Sequence, residues 1–262
     1  MMNYVVTTSN RPKYEQIVAA KKIAEEYKVK FVKRKSIGSY VAENDIDFYY
    51  ILDKNNQLKI YDGKEMFFFH PSMSKVRQKN LKDGQRDHLI ESINPTGDEK
   101  ILDLTFGLGS EALLMAKFLT TGTVIGIEAS IHIYRIVSYG LKNYPYQYEW
   151  LKEAASKIEI INMNMKQYLK EEADNSFDVV YCDPMFDIPI LKSNSLNPIR
   201  KFASYDTVED EDFENMRRIS RDKIIIKSRV TDRLFKKINE YGFENINGSK
   251  RSGIMYGVMS VK

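Results

Sequence analysis

From Glu99 onward, short apolar segments alternate regularly with helical segments. Such alternation is typical of a mostly parallel sheet with helices on both faces. Residues 242–262 predict two further strands, which we expect to form an antiparallel pair at the sheet edge. The predicted strands are Lys100–Leu104, Thr123–Ile127, Ile158–Met163, Phe177–Cys182 and Asp222–Lys227, and the predicted helices are Ser110–Leu119, Ile131–Asn143 and Val208–Ser220.

Three regions follow from this pattern. Residues 1–71 predict a small N-terminal α/β appendage, residues 72–98 a charged helical connection, and residues 99–262 the main domain, which is Rossmann-like. In the appendage, Ser9 or Asn10 is expected to cap the first helix, with Pro12 in its first turn. The strands predicted for the appendage are Asn3–Thr8, Val29–Lys33, Phe48–Leu52 and Gln57–Tyr61, the last two as a hairpin.

Composition excludes several classes of protein. The 262 residues contain one cysteine, Cys182, so an internal disulfide framework and a cysteine zinc cluster are excluded. The three histidines show no ligand spacing, and no metal site is predicted. Because the chain has no long apolar run and no signal-peptide pattern at its start, we expect a cytoplasmic protein with no membrane partner.

A glycine turn follows the first strand of the main domain. Gly107 and Gly109 allow the backbone to turn tightly and to approach a ligand closely. Asp103 lies four residues before Gly107, and its carboxylate would repel a pyrophosphate. It suits S-adenosylmethionine (SAM), which carries an ammonium group and no phosphate. The turn therefore predicts SAM as cofactor and disfavours a dehydrogenase.

Two further side chains follow neighbouring strands of the predicted sheet. Glu128 ends the second strand, where a carboxylate can accept both ribose hydroxyls. Asn164 follows the third strand, where an amide can bind the adenine amine. Both positions extend the predicted cofactor site along the carboxyl edge of the sheet.

The segment Asp183-Pro184-Met185-Phe186 follows a buried strand at the same edge. It resembles the Asp/Asn-Pro-Pro-aromatic signature of amino-methyltransferases. The exocyclic amine of a base is a poor nucleophile, because its lone pair is delocalised into the ring. Asp183 and the Pro184 carbonyl can accept its two N–H bonds, and Phe186 can stack on the base.

Two nearby residues have competing interpretations. Cys182 could be interpreted as a catalytic nucleophile. Strand alternation points its side chain away from Asp183, however, which favours its interpretation as a small buried hydrophobe. Lys227 ends a strand at the carboxyl edge. It is interpreted either as a phosphate contact or as a lysine that extends its ammonium group to solvent.

Together these motifs resemble the small-subunit ribosomal RNA methyltransferase J family, over roughly residues 84–262. That family belongs to the class I SAM-dependent methyltransferases and methylates guanosine N2 in 16S rRNA. Ser110 and Ala129 stand where its better-known members carry Arg. The resemblance implies cofactor contacts at Ser110, Glu111, Glu128, Ala129, Asn164, Met165 and Asp183.

The resemblance implies RNA, either 16S rRNA or the small ribosomal subunit, as substrate. Two basic windows, residues 28–35 and 75–86, are interpreted either as solvated faces or as a sign of a nucleic-acid partner. The charged N-terminal region and the loop Asp187–Ser204 are expected to contact phosphates. Two alternatives remain open. One is methylation of a protein amide or a small amine by the same Asp183 chemistry, and the other is a non-catalytic RNA-binding ribosome assembly factor.

Overall fold

The structure is a computed structural model that describes residues 2–185, 197–249 and 252–261. The described residues form two compact units. The N-terminal unit comprises Met1–His70, Arg135–Pro145 and Asn194–Lys201, and the main unit comprises Pro71–Tyr134, Tyr146–Ser193 and Phe202–Lys262. Every helix in these ranges is too short or too polar to cross a membrane.

The first seventy residues form a four-stranded sheet and two α-helices. Strands β1 and β2 are parallel, and β3 and β4 add to β2 as antiparallel neighbours. The hairpin of β2 and β3 confirms its prediction. The elements are β1 (Tyr4–Thr8), α1 (Tyr14–Glu26), a 3-10 turn (Arg34–Ser36), α2 (Ile37–Asn44), β2 (Phe48–Leu52), β3 (Leu58–Tyr61) and β4 (Met66–Phe68).

Two predictions for this unit are wrong. The strand expected over Val29–Lys33 is reduced to a single parallel bridge between Phe31 and Val6. Helix α1 begins after Lys13, whose side chain makes no capping hydrogen bond, and neither Ser9 nor Asn10 caps it. The physical reason is that Arg11 adopts a left-handed conformation (φ 51°), so the chain is still turning when it reaches Pro12.

Aromatic packing builds the core of the N-terminal unit. Tyr4 stacks on Phe48 with ring centroids 5.0 Å apart, and Tyr50 meets both rings edge-on. Arg135 lies over the ring of Tyr27 at 3.9 Å and donates to the Tyr4 hydroxyl at 2.8 Å. These contacts hold residues 135–145 to the small sheet.

The remaining elements follow in chain order. The part of α6 from Arg135 onward and α9 belong to the N-terminal unit. The elements are α3 (Ser72–Lys82), α4 (His88–Ile93), β5 (Lys100–Asp103), α5 (Ser110–Lys117), β6 (Thr123–Glu128), α6 (Ile131–Asn143), α7 (Glu149–Ser156), β7 (Ile158–Asn162), α8 (Met165–Glu171), β8 (Phe177–Cys182), α9 (Asn197–Arg200), α10 (Asp210–Ile219), β9 (Ser220–Arg229), α11 (Arg233–Glu240), β10 (Asn245–Ser249) and β11 (Ile254–Ser260).

The main unit contains a seven-stranded sheet in the order β10-β11-β9-β8-β5-β6-β7. Strands β5 to β9 are parallel, while β10 and β11 are antiparallel at one edge. The predicted α/β fold with an antiparallel C-terminal edge is confirmed. Helices α7, α8 and α11 were not predicted, because segments of seven or eight residues show the helical period only about twice.

The ring of Phe106 fixes the glycine turn against the sheet. Phe106 is 4% exposed, and a Cβ added at Gly126 would overlap its ring. A Cβ at Gly109 would lie 2.8 Å from the same ring. Glycine is therefore required on both sides of Phe106 for the turn to sit this close to β6.

Candidate active site

The carboxyl edge of the parallel strands brings together four of the predicted site residues. Asp103 ends β5, Glu128 ends β6, Asn164 follows β7, and Asp183 follows β8. Parallel strands end at a common edge, which is where open α/β sheets bind ligands. Tertiary structure therefore gathers side chains that are up to eighty residues apart in sequence.

Glu128 is tied to the glycine turn. The Gly107 N–H donates to its Oε2 at 2.9 Å, and the Ser130 N–H donates to Oε1 at 2.7 Å. Burial raises the pKa of Glu128 to about 7, although these two hydrogen bonds favour the ionised form. Near neutral pH the side chain is poised between its two protonation states.

Asp103 is the most deeply buried carboxyl of the edge, at 1% exposure. It accepts a hydrogen bond from the Thr105 N–H at 3.1 Å. Burial raises its pKa well above the ordinary value, and the nearby carboxylates of Glu111, Asp183 and Glu128 act in the same direction. A cationic ligand would relieve this repulsion.

Asp183 is held from two sides. Its backbone N–H donates to the Thr105 hydroxyl at 2.7 Å, which joins the β8 end to the glycine loop. Its Oδ2 accepts from Lys227 Nζ at 2.6 Å. Lys227 Nζ also lies 3.3 Å from Glu111 Oε1, so one ammonium group bridges two carboxylates. Lys227 is only 13% exposed, which contradicts its interpretation as a solvent-reaching lysine. Its interpretation as a phosphate contact stays a prediction.

The ionic network continues away from the sheet. Arg77 on α3 donates to Glu111 Oε1 at 3.0 Å and makes two bonds of 2.8 Å to Asp87. Asp87 in turn caps α4 by accepting the N–H groups of Leu89 and Ile90. Arg77 is thus a structural partner of the site, and within its basic window it is not a free phosphate contact.

Burial and charge act in opposite directions on this network. Burial raises the pKa of Asp183, and Lys227 only partly offsets that rise. For Glu111 the balance is reversed, because Lys227 and Arg77 together hold its pKa below the ordinary value despite its burial. The pKa of Lys227 is raised by its two carboxylate partners, so this lysine stays protonated.

One buried hydroxyl at this site lacks a partner. Tyr181 on β8 is 1% exposed, and its OH makes no hydrogen bond to any residue that the structure describes. Burial raises its pKa well above the ordinary value, and the next largest cause is the charge of Asp183. A buried polar atom without a partner at a ligand-binding edge fits a site that is completed by ligand or water.

The other predicted site residues have defined partners. Asn164 caps α8 by accepting the Lys166 N–H and donates to Asp206 Oδ2 at 2.6 Å. The Met165 side chain packs in the hydrophobic core, and Glu111 is committed to the network. The Ser110 and Ala129 carbonyls accept hydrogen bonds from Ser74 and Asn162. Pro184 is buried, whereas Phe186 lies outside the described residues.

Cys182 is fully buried in the core of the main unit, and burial raises the pKa of its thiol well above the ordinary value. The interpretation of Cys182 as a small buried hydrophobe is confirmed. Sequence reasoning missed Arg77, Thr105 and Tyr181 as partners of the site. For Tyr181 a signal existed, because strand alternation places it on the same side as Asp183.

The donor set of this edge fits SAM. Asp103 and Asp183 would face the cationic part of the cofactor, and Glu128 would accept the ribose hydroxyls beside the glycine turn. Gly107 and Gly109 adopt left-handed backbone conformations, with φ 52° and 70°. Because glycine has no side chain, a ligand can approach the backbone of this turn closely. No arginine or lysine is bonded to Asp103 or Glu128 within the described residues, which leaves their negative charge for a cationic ligand.

Comparison with known proteins agrees with this geometry. A family model described as "Putative SAM-dependent methyltransferase" matches residues 22–228. The crystal structure of the SAM-dependent methyltransferase NGO1261 from Neisseria gonorrhoeae superposes with a TM-score of 0.64. It covers 98% of this chain and 96% of that chain at 12% identity, which shows a shared fold.

Two curated relatives are informative. The protein YpiP of Bacillus subtilis, which is described as uncharacterized, is 28% identical over 258 residues, 97% of this chain and 98% of its own length. Ribosomal RNA small subunit methyltransferase J of Francisella tularensis is 31% identical over 140 residues. That match covers 52% of this chain and 56% of the relative, about half of each. Because the family model spans most of the chain, the protein belongs to the family of SAM-dependent methyltransferases, with SAM as its cofactor.

Proposed function

We propose that this methyltransferase modifies an exocyclic amine of a base in RNA, and that guanosine N2 of 16S rRNA is its target. The observation that carries the proposal is Asp183, held at the carboxyl edge by Lys227 and followed by Pro184-Met185-Phe186. The partial similarity to ribosomal RNA small subunit methyltransferase J supports the choice of RNA.

The proposed chemistry depends on the ionised form of Asp183. Its carboxylate accepts an N–H of the amine, which localises the nitrogen lone pair and aims it at the methyl group. When bound, SAM supplies a methyl group on a positively charged sulfur. Attack of the amine nitrogen on that methyl group would form the new N–C bond at the expense of the S–C bond, and Asp183 would take the extra proton from the nitrogen. Lys227 favours the charged form of Asp183 that this role requires.

A cavity next to the segment that follows Asp183 supports the proposal. A cavity of about 260 Å³ borders Pro184 and Met185 and continues to Val208 and Leu234. In the proposal, the Pro184 carbonyl accepts the second N–H of the amine and Phe186 stacks on the base. The base must be flipped out of a helix or already single-stranded to enter.

The test is transfer of labelled methyl from SAM to naked 16S RNA and to 30S subunits, both from cells that lack this protein. Wild type is compared with Asp183→Ala, and Asp83→Ala serves as a matched control because Asp83 is exposed. We expect labelled RNA with wild type and the control, a loss of at least a hundredfold with Asp183→Ala, and N2-methylguanosine after nuclease digestion.

Other results would change the conclusion. Label in a different nucleoside would keep RNA as substrate and overturn the guanosine assignment. No label in either RNA, together with measurable SAM binding, would overturn the RNA proposal. Methylation of a protein amide or small amine would then be the function to test, followed by a non-catalytic role in ribosome assembly.

A further inference from the structure

The N-terminal unit contains a cavity of about 540 Å³, and none of the SAM site residues lines it. It is bordered by the loop after β1, by one face of α1 and by the segment that follows Phe31. Thr8 is the last residue of β1, and Phe31 bridges β1 in parallel through Val6. The cavity therefore sits at the carboxyl end of parallel strands, where α/β sheets bind ligands.

Positive charge surrounds this cavity. Half of its ten lining residues are basic, and none is acidic. Such a boundary attracts an anion, because no carboxylate neutralises the cations from within the lining. The basic lining residues are Arg11, Lys21, Lys33, Arg34 and Lys35.

Two buried polar atoms of the lining have no partner among the residues that the structure describes. The Thr8 side chain is 1% exposed, and its Oγ1 makes no hydrogen bond. Arg34 Nη1 is buried and also makes none. A buried donor without a partner costs about 1–3 kcal/mol, and ligand oxygens would remove that cost.

Two contacts within the protein orient the Arg34 guanidinium. Its Nε donates to Asn10 Oδ1 at 3.2 Å, and its guanidinium lies over the Tyr49 ring at 5.9 Å. Only the outer part of the fork is left to bind a ligand. This is the geometry in which arginine binds phosphate oxygens.

Apolar residues complete the lining. Phe31 is half-buried and contributes an aromatic ring, while Pro12 and Ile17 add aliphatic surface. A simple inorganic anion would gain no favourable contact from these apolar groups. A ligand with a flat apolar part and a phosphate matches both halves of the cavity, and a nucleotide has this composition.

We propose that this cavity binds a nucleotide, with its phosphate on Arg34 and the neighbouring lysines and its base against Phe31. The choice of source rests on the proposed function: the nucleotide belongs to a single-stranded segment of the RNA substrate, outside the base that is methylated. The same chemistry is offered by a free nucleotide, and the experiment separates the two.

The test measures binding of a fluorescent single-stranded oligoribonucleotide to the full chain by anisotropy, across a range of salt concentrations. Lys33→Gln/Lys35→Gln is compared with Lys54→Gln/Lys64→Gln, which removes the same charge from exposed positions of the N-terminal unit. We expect the first pair to weaken binding about tenfold and to lower the salt slope by about 1.4, while the second pair stays near wild type. An equal effect of both pairs would overturn the site.

Thr8→Val gives a second, independent measurement. Valine keeps the shape but removes the hydroxyl, so we expect oligoribonucleotide binding to weaken severalfold while the melting temperature stays level or rises. Weaker binding together with a lower melting temperature would point to a structural role. That outcome, like unchanged binding, would overturn the assignment of Thr8 to the site.

Competition identifies the source of the ligand. A nucleoside monophosphate that displaces the oligoribonucleotide, where inorganic phosphate does not, would identify a free nucleotide as sufficient. Resistance to the monophosphate, with the lysine effect intact, would assign the cavity to an RNA segment. Equal displacement by phosphate and monophosphate would overturn base recognition. If RNA is methylated but Lys33→Gln/Lys35→Gln does not weaken oligoribonucleotide binding, this inference alone is refuted. If the cavity binds a nucleotide but no RNA is methylated, the proposed function alone is refuted.

Discussion

Lys227 Nζ lies 2.6 Å from Asp183 Oδ2 because the two residues stand at the same level of neighbouring parallel strands. Cys182, the last residue of β8, pairs with Ile226 of β9, and Asp183 and Lys227 are the next residues in the chain. Both side chains therefore leave the sheet on the same side. The register, and not a local motif, creates the ion pair.

The first prediction concerns this ion pair. Lys227→Gln removes the positive charge beside Asp183, so the pKa of Asp183 should rise further. We expect the acid limb of the pH–rate profile for methyl transfer to move to higher pH by about one unit or more. Lys236→Gln, which changes an exposed lysine of the main unit, should leave the limb in place. A uniformly lower rate with an unmoved limb would contradict the proposed role of Lys227.

The second prediction concerns cofactor affinity and pH. Glu128 has a pKa of about 7 in the protein, and its ionised form is the better acceptor of ribose hydroxyls. SAM should therefore bind several times more weakly at pH 6 than at pH 8, as measured by titration calorimetry. Glu128→Gln should bind weakly at both pH values, and a variant that kept the full pH dependence would exclude Glu128 as its cause.

The same group predicts how stability depends on pH. The folded protein holds the Glu128 proton more tightly than the unfolded chain, whose glutamate pKa is 4.5. The stabilisation is fully present below pH 4.5 and is lost as pH rises through 7, by about 3 kcal/mol in total. The difference in unfolding free energy between wild type and Glu128→Gln should show this decline. It is measured by urea unfolding from acid to neutral pH, without SAM. A difference that grew with pH would have the wrong sign.

The third prediction separates binding from stability at Asp103. Asp103→Asn keeps the shape of a carboxyl that is buried beside other carboxylates. We expect the melting temperature without SAM to stay level or rise, because the repulsion is removed, while SAM affinity falls by ten- to a hundredfold. A large loss of stability with unchanged affinity would assign Asp103 to the scaffold. Asp98→Asn, at an exposed position, is the matched control.

The fourth prediction tests the packing of the glycine turn. Gly126→Ala places a methyl group in the ring of Phe106, so we expect a loss of about 1–3 kcal/mol in unfolding free energy and weaker SAM binding. Gly38→Ala is the matched control, because a Cβ there meets nothing within 4 Å on helix α2. The control should be neutral or slightly stabilising. Equal effects of the two changes would refute the close approach of Phe106 to β6.

Much of the fold could be predicted because it depends on local patterns. Five parallel strands and the C-terminal antiparallel pair were found from short apolar runs, and α6 from a long amphipathic period. The failures have local causes too. The strand expected around Phe31 finds only one neighbour residue to pair with, and α8 is too short for its period to stand out.

The α/β architecture, the glycine turn and the position of Asp183 at a strand end could all be predicted from the amino-acid sequence, since each depends on residues close together in the chain. The place of Lys227 and Arg77 in the carboxylate network, and of Thr8 and Arg34 in the lining of a second cavity, became visible only in the folded chain. Strand register and helix packing set these contacts between segments far apart in sequence. No periodicity within one segment predicts these contacts. Nor does it predict the burial that raises the pKa of Glu128 and Asp103.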